Sequence, residues 1–278
     1  MKKISRRSFL AAAGLSVAAL ALTACGGSAS SVASSVASSA SSAAASTSAA
    51  AGELTTVEAG KLTMATNAAF PPYEMTTDAG DFEGIDIETA QAIADKLGLE
   101  LQIDDMDFDA ALLSVQQGKA DIVMAGVTVT DERKAVMDFS DSYATGIQSI
   151  IVPEGSDIAS PDDLAGKKIG TQRGTTGYIY CSDDFGDDNV VAYDDGLTAV
   201  QALNNGQVDA VVIDNAPAKE FVAANPGLVI LDTSYAEEDY AIGMAKGSSL
   251  EDAVNAALEE LKADGTLQSI VDKYITAE

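Results

Sequence analysis

The spacing of apolar residues between positions 60 and 126 switches repeatedly between the periods of strands and helices. Residues 62–65 form a short apolar run that predicts a strand, and apolar positions recur at helical spacing over 85–97, before a glycine. Alternating apolar positions at 99–103 and apolar residues within 121–124 predict two further strands on either side of a helix at 108–117. Strands that alternate with helices in this way predict a parallel sheet with helices on both faces.

A second series of the same kind follows residue 148. Its apolar runs predict strands at 149–152, 168–171, 190–193, 208–213 and 228–231, with helices at 175–182, 195–205 and 215–224. Asp194 is expected to cap the middle helix of this series. The segments 111–126 and 199–214 echo each other, because each predicts a helix, a glycine turn, an aspartate and an apolar strand.

Capping patterns predict three more helices. Ser160 precedes a proline and two aspartates, which predicts a short helix. The chain ends on predicted helices at 248–263 and 266–274, the first with Ser248 and Glu251 at the spacing of a capping box. The fold class predicted from both series is α/β.

The first 52 residues follow a different pattern. Four basic residues precede an apolar run from 9 to 22, which is too short to span a bilayer and predicts an export signal over 1–24. The tetrapeptide before position 26 resembles a bacterial lipobox, which implies cleavage before Cys25 and lipid on that residue; a plain secretory signal is the alternative. Residues 5–10 also resemble a twin-arginine export box. The Ser- and Ala-rich residues 25–52 are expected to form a disordered, lipid-anchored tether.

Charge and residue usage narrow the chemistry. Removal of 1–24 leaves 12 Lys and Arg against 43 Asp and Glu, a formal charge of −31, so nucleic acid is not an expected partner. The absence of His excludes histidine-dependent catalytic triads and His-ligated zinc sites. We predict no catalytic residue, metal site or cofactor. Cys181 has no disulfide partner once Cys25 carries lipid, and it is expected to be a buried small apolar residue.

The first series carries candidate binding residues where its strands end, which is where ligands bind in open α/β sheets. Phe70 follows the first strand in a proline-fixed turn, and Phe108 opens the second helix, so the two aromatic rings are expected to flank one ligand. Gly126 and Thr128 follow the strand at 121–124. Arg133 lies beyond them, on a short helix with Thr130 as its cap. Its guanidinium suits a carboxylate, although a surface ion pair with Asp131 or Glu132 is an equally open alternative.

The second series offers complementary groups. The loop at 172–177 precedes a helix, and its glycines and free backbone N–H groups suit an anionic group. Asp214 ends the strand at 208–213 and suits an ammonium, but it is as plausible as a helix cap.

Several segments together resemble one known family. The strings TNAAFPPYE, GIDIETAQAIADKLG, FDAALLSVQQGKADIVMAGVTVTDERKAVMDFSDSY, GKKIGTQRGTTG and VDAVVIDNAPA are similar to the bacterial extracellular solute-binding proteins of family 3, the amino-acid-binding group. The resemblance covers nearly all of 60–275. It implies the two-lobed periplasmic-binding-protein fold of type II with two crossover hinge strands, expected at 144–148 and 239–243. Lobe 1 would then comprise 53–144 and 243–278, and lobe 2 would comprise 148–239.

The resemblance also implies the role of each candidate. Arg133 would hold the α-carboxylate of an amino acid with help from Thr128 and Thr176, while Asp214 and the Gly126 carbonyl would take the α-amino group. Phe70 and Phe108 would sandwich the ligand side chain. The expected lining also includes residues Asn67, Gln172, Thr175 and Gly177. Binders of basic amino acids in this family often carry an acidic residue at the position of Asn67, so the amide favours a neutral polar ligand here.

The implied function is transport. The chain is expected to be a monomeric extracytoplasmic binding protein, anchored to the cell membrane by lipid, that closes on a free polar amino acid and presents it to the permease subunits of an ABC importer. One alternative is a dehydratase-type enzyme on the same scaffold. The other is a sensor that passes its closed state to a receptor.

Overall fold

A computed structural model describes residues 54–275. The predicted signal at 1–24, the lipid on Cys25 and the tether over 25–52 all lie outside these residues. No helix within 54–275 combines the length and the apolar composition that crossing a bilayer requires.

The strands form two large sheets and one small one. They are β1 (Lys61–Thr66), β2 (Ala69–Phe70), β3 (Glu74–Thr76), β4 (Phe82–Glu83), β5 (Glu100–Asp105), β6 (Ile122–Val123), β7 (Met137–Phe139), β8 (Ala144–Pro153), β9 (Ile169–Gln172), β10 (Val190–Tyr193), β11 (Ala210–Asp214), β12 (Leu228–Ile230), β13 (Ala236–Tyr240) and β14 (Gly243–Ala245).

The α-helices connect these strands and close the chain. They are α1 (Ile85–Leu97), α2 (Phe108–Gln116), α3 (Asp131–Lys134), α4 (Thr176–Phe185), α5 (Gly196–Asn204), α6 (Asn215–Ala224), α7 (Glu251–Ala263) and α8 (Thr266–Tyr274). Short 3₁₀ helices span Pro161–Leu164 and Asp187–Asn189.

The first sheet has the order β5-β1-β6-β14-β7. Strands β5, β1 and β6 are parallel, as predicted, and β14 runs antiparallel to both of its neighbours. Side chains of β1 alternate between two cores, with Leu62 and Met64 packed on the side of α1 and α7, and Ala65 packed on the side of α2. Both faces of this sheet are therefore covered by helices.

The second sheet has the order β10-β9-β11-β8-β12, and β13 also pairs with β8. Strands β10, β9 and β11 are parallel, whereas β8 runs antiparallel to β11, β12 and β13. The strand predicted at 149–152 is thus part of a longer strand that also contains the expected crossover segment 144–148. The two segments are continuous because both are extended and both pair with the antiparallel strands beside them.

The fold is the two-lobed periplasmic-binding-protein fold of type II, with one large sheet in each lobe. Strands β8 and β13 pair from Ala144 with Tyr240 to Gln148 with Ala236, and form the crossover between the sheets. The second expected crossover at 239–243 is divided between the end of β13 and the start of β14.

Two predicted caps were wrong. Asp195, not Asp194, caps α5, and its carboxylate accepts a hydrogen bond from the backbone N–H of Thr198 at 2.7 Å. No side chain caps α7, which begins at Glu251 instead of residue 248, so Ser248 and Glu251 do not form a capping box. The predicted caps at Thr130 and Ser160 are confirmed, and Ser160 makes a full capping box with Asp163.

Candidate functional site

One cavity lies between the ends of the two sheets. Its free volume is about 20 Å³, which is room for about one water molecule. An amino acid is several times larger, so the cavity must widen before a ligand of that size can enter. This requirement agrees with a fold in which two lobes move about a pair of crossover strands.

The ten predicted ligand-binding side chains and backbone positions all line this cavity. They are Asn67, Phe70, Phe108, Gly126, Thr128, Arg133, Gln172, Thr175, Thr176 and Asp214. Six further residues complete the lining, namely Glu74, Ala125, Gln148, Val212, Ile213 and Tyr240. The structure therefore brings these ten candidates together from both halves of the sequence.

Arg133 is the cationic group of the cavity. Thr130 caps the four-residue helix α3 through the backbone N–H of Arg133, and the Arg133 side chain is only 9% exposed. Its guanidinium donates to the carbonyl of Thr128 at 2.8 Å and to the carbonyl of Gly174 at 3.2 Å, and it lies 5.4 Å from the ring centroid of Phe108. The alternative of a surface ion pair with Asp131 or Glu132 was therefore wrong.

Asp214 sits opposite, at the end of β11. One carboxylate oxygen accepts the backbone N–H of Ala216 at 3.0 Å and so caps α6, and the other accepts the N–H of Ile147 at 2.7 Å. The capping role is confirmed. The same carboxyl also lines the cavity, and each of its oxygens keeps a further lone pair that can accept a hydrogen bond from an ammonium group. Burial raises the pKa of Asp214 to about 6, against the lowering effect of these two hydrogen bonds.

Two amide side chains join the lobes at another edge of the cavity. The Gln172 amide donates to the Asn67 side-chain oxygen at 2.9 Å, and the Asn67 amide donates to the carbonyl of Met106 at 2.9 Å. Thr175 caps α4 and donates its own hydroxyl to the carbonyl of Gln172 at 2.8 Å. These contacts hold the loop at 172–177 against the first lobe.

The hydroxyls of Thr128 and Thr176 meet at a third edge, 3.4 Å apart. Both hydroxyls donate to the same carboxylate oxygen of Glu238, at 3.1 and 2.9 Å, and the side-chain amide of Gln148 donates to that oxygen at 3.0 Å. Thr128 follows a strand of the first sheet, whereas Thr176 opens a helix of the second lobe. Glu238 therefore joins side chains from both lobes.

A buried acidic pair, Glu74 and Asp86, lies beside the cavity, and Glu74 forms part of its wall. Glu74 lines the cavity with no exposed surface, and no N–H or O–H group of residues 54–275 donates to either of its oxygens. Burial raises its pKa well above the usual value, and the negative charge of the neighbouring Asp86 raises it further. Burial also raises the pKa of Asp86 to about 6, although the N–H of Gly126 donates to it at 3.0 Å.

Aromatic rings and one glycine shape the remaining wall. Phe70 stacks on Tyr73 with ring centroids 5.9 Å apart, and Tyr73 meets Tyr240 edge to face at 5.5 Å. Gly126 has φ +56°, and a Cβ there would lie 2.9 Å from the Phe70 ring. Glycine is therefore required at 126 both for backbone conformation and for space beside Phe70.

Gly177 does not line the cavity, contrary to expectation. A Cβ at this position would lie 2.9 Å from the side-chain oxygen of Gln148 and 3.3 Å from the carbonyl of Val212. The missing side chain makes room for Gln148, not for a ligand.

Four acidic or polar residues of the site were not predicted, namely Glu74, Gln148, Glu238 and Tyr240. Glu74 lies four residues after Phe70, in a segment already noted for its prolines. Gln148 and Tyr240 lie within the expected crossover segments, and Gln148 pairs directly with Asp214 across β8 and β11. Gln148 could have been identified from its position opposite Asp214, but only if the antiparallel register of β8 and β11 were known.

Comparisons with known proteins agree on one group. The model of the bacterial extracellular solute-binding proteins, family 3, matches residues 62–277. The L-cystine-binding protein TcyJ of Escherichia coli K12 is 33% identical over 226 residues, which cover 80% of this chain and 85% of that protein.

Solved structures give the same result. An ancestral arginine-binding protein bound to arginine is 43% identical, with a TM-score of 0.74 over 78% of this chain and 98% of that chain. The arginine-, lysine-, histidine-binding protein ArtJ of Geobacillus stearothermophilus is 34% identical, with a TM-score of 0.75 over 78% of this chain and 96% of the other.

Proposed function

The chain belongs to the bacterial extracellular solute-binding proteins of family 3, and from that premise we propose that it is the extracytoplasmic substrate-binding component of an ABC importer for a polar amino acid. One observation carries the proposal. A buried guanidinium and a buried carboxylate, Arg133 and Asp214, line one cavity between two lobes. These groups complement the two charged ends of a free amino acid.

In the proposed complex, Arg133 receives the α-carboxylate and Asp214 with the Gly126 carbonyl receives the α-ammonium. In the free protein the guanidinium donates to the carbonyls of Thr128 and Gly174. Binding replaces these neutral acceptors with the ligand carboxylate, and hydrogen bonds to a charged acceptor are stronger. Phe70 and Phe108 line the path of the ligand side chain, and Asn67, Gln172 and Thr175 close over it. The proposed role involves no chemical reaction and no cofactor.

We further propose that the ligand side chain is cationic. Asn67 alone favours a neutral side chain, but Glu74 adds a buried carboxyl to the cavity lining, and the buried carboxyl of Asp86 lies next to it. A guanidinium, ammonium or imidazolium group would supply the donors that Glu74 lacks. Relatives named for arginine, lysine and histidine support this choice, whereas TcyJ, named for cystine, supports a neutral ligand.

A thermal-shift screen over the twenty amino acids, ornithine and cystine tests both proposals. A compound at 100 times its Kd stabilises the folded state by about 2.7 kcal/mol, so a cognate ligand raises Tm by several degrees. We expect arginine, lysine, ornithine or histidine to give the largest shift. A larger shift with glutamine or cystine would contradict the cationic side chain, and no shift with any compound would contradict amino-acid binding.

The Asp214→Asn variant tests the ammonium site. Its binding of the best amino acid should weaken more than its binding of the corresponding deaminated acid, because only the amino acid carries the ammonium. Equal losses for the two compounds would show that Asp214 serves only as the cap of α6.

Anchoring and lobe limits complete the proposal. We assign 53–144 with 243–278 to lobe 1 and 148–239 to lobe 2, and we assign Cys25 to lipid attachment after removal of 1–24. Mass spectrometry of the N-terminal peptide from cells tests the last point. A Cys25→Ser variant should lose the lipid mass and appear in the soluble fraction, and an unmodified Cys25 in the wild-type protein would contradict the anchor.

The enzyme alternative is tested by incubation with prephenate or arogenate. We expect no product with either compound. Turnover would contradict a purely binding role.

A further inference from the structure

Glu238 lies immediately behind one wall of the cavity. It belongs to β13, is 7% exposed, and does not itself line the cavity. Its Oε2 accepts hydrogen bonds from three residues that do line the cavity, Thr128, Gln148 and Thr176. This wall is therefore held from behind by a protein carboxylate.

The direction of these hydrogen bonds limits what the wall offers a ligand. A hydroxyl group has one proton to donate and two lone pairs, and an ionised carboxylate only accepts. When Thr128 and Thr176 donate to Glu238, each turns a lone pair and no proton toward the cavity. An α-carboxylate in the cavity needs donors, so these two hydroxyls cannot serve it in this arrangement.

Glu238 also acts on the charge of the site. Burial lowers the pKa of Arg133, and the negative charge of Glu238 opposes that change by stabilising the guanidinium. The cation that faces an incoming carboxylate is thus already partly balanced by a protein anion.

We propose that Glu238 is a specificity-determining positioning residue that turns the hydroxyl protons of Thr128 and Thr176 away from the ligand and so weakens the hold on its α-carboxylate. The inference rests on the proposed function, because it concerns the carboxylate end of the same amino-acid site. It revises the role that the family resemblance gave to the two threonines. Arg133 becomes the principal donor to the α-carboxylate, and Glu238 sets how strongly the site prefers compounds that carry one.

The test compares ligands that differ only in the α-carboxylate. Calorimetry gives Kd values for L-arginine and its decarboxylated form, agmatine, and for L-lysine and cadaverine, with wild-type protein and the Glu238→Gln variant. The amide has nearly the same shape, can donate to one threonine hydroxyl and carries no charge. It therefore frees a hydroxyl proton for the ligand and leaves Arg133 without its counter-charge.

We expect the ratio of the agmatine Kd to the arginine Kd to rise at least about fivefold in Glu238→Gln, as one added hydrogen bond to a charged group would produce. The control variant Glu237→Gln, at the exposed neighbouring position on β13, should leave the ratio unchanged.

Glu238→Asp shortens the side chain and should raise the ratio of the two Kd values by a smaller factor. It replaces Glu238→Gln in the test if the amide variant folds poorly. An unchanged or smaller ratio in the Glu238 variants would overturn the proposal. If Glu238 only holds the cavity wall in place, its replacement should affect the binding of both ligands equally.

A second arm needs no ligand. Thermal unfolding of Thr176→Val, Glu238→Gln and the double variant should show Tm losses that are clearly not additive, because the two changes remove the same hydrogen bond. Thr176→Val combined with Glu237→Gln should be additive. Additive losses in the first pair would overturn the orienting role. If the wild-type protein binds none of the four compounds, the cationic-ligand proposal fails, and this unfolding cycle still decides the role of Glu238.

Discussion

At the residue scale, the site depends on charged groups that are held away from water. Arg133 is 9% exposed and hydrogen bonded to two backbone carbonyls, one from each lobe. A cation in this position is costly to bury without an anionic partner, and a ligand carboxylate supplies that partner. The same desolvation makes the interaction with that carboxylate stronger than it would be at the surface.

Replacement of Arg133 by alanine should therefore weaken amino-acid binding by about 2–5 kcal/mol, because one member of a desolvated charge pair is left alone. Arg173 provides a matched control from the facing lobe. Its side chain is half exposed and makes a 3.5 Å ion pair with Asp194 and a 3.5 Å contact with the carbonyl of Ala192, so Arg173→Ala should change affinity little. Calorimetry with the best ligand of the screen measures both, and near-native affinity for Arg133→Ala would remove the carboxylate assignment.

The buried carboxyl of Glu74 predicts how stability depends on pH. Its pKa is raised above the usual 4.5, so the folded protein retains a proton that the unfolded chain releases over the interval between the two pKa values. The folded state binds more protons there, so the free energy of unfolding falls as pH rises through this interval. Asp86 and Asp214, each with a pKa of about 6, act in the same direction.

Glu74→Gln should therefore raise Tm at pH 8 more than at pH 4, and should reduce, without abolishing, the decline of Tm between these values. The exposed Glu83 gives the control variant Glu83→Gln, which should leave the pH profile unchanged.

Arginine binding should also tighten as pH rises in the wild-type protein, because the cation favours ionised Glu74. This pH dependence should diminish in Glu74→Gln. A pH profile of Tm that is the same in wild type and Glu74→Gln would contradict a raised pKa at this position.

The sequence identified some residues of the site and could not identify others. Arg133, Asp214 and Phe70 follow predicted strands, so chain position alone places them at the edge where ligands bind. Glu238 and Gln148 act through hydrogen bonds between segments separated by 62 to 110 positions. Such contacts depend on the antiparallel pairing of β8 with β11 and β13, which no local pattern encodes.

At the scale of elements, local patterns predicted most helices and strands, and small errors arose where two signals compete. The sequence Asp194-Asp195 offers two adjacent carboxylates at the start of α5, and either satisfies the composition rule for a cap. Asp195 directly precedes α5, and its extended backbone places its carboxylate on the first turn. Asp194 instead contributes its backbone carbonyl to Gln172.

Asp195→Ala should therefore lower the free energy of unfolding by about 1 kcal/mol, the usual cost of losing an N-cap. Asp194→Ala removes only an exposed ion pair with Arg173 and should change stability by a few tenths of a kcal/mol at most. Denaturant unfolding of the two variants side by side makes the comparison. A larger loss for Asp194→Ala would show that the cap lies one residue earlier.

At the scale of the whole molecule, the crossover strands decide how the lobes can move. Strands β8 and β13 are paired along five positions, and Gly146 packs directly on the ring of Tyr240, where a Cβ would lie within 2.4 Å of a ring carbon. The two strands are therefore closely packed as well as hydrogen bonded. Polar contacts across the cleft include Gln172 with Asn67, Arg133 with Gly174, and Glu238 with Thr128.

Net charge acts at the same scale. The whole sequence has a formal charge of −27, and 43 acidic residues oppose 16 basic ones. A strongly negative protein attracts cationic solutes and repels anionic ones over roughly a Debye length, so the approach of arginine or lysine should be faster at low salt. This long-range preference points in the same direction as the buried carboxyls of the cavity.

Because the cavity has room for about one water, binding must include an opening and a closing step. Fluorophores attached at Glu259 on α7 and Glu220 on α6, in Cys181→Ala protein, report the distance between lobes. We expect ligand to populate a shorter distance between the two lobes, while the distance between labels at Gln91 and Glu259, within one lobe, stays constant.

The Gln172→Ala variant lacks the amide contact with Asn67. It should need more ligand to reach the same closed fraction, because part of the free energy of closing is lost. An inter-lobe distance that does not respond to a ligand bound by calorimetry would show that ligand enters by local side-chain motion, and the crossover strands would then act only as a rigid link.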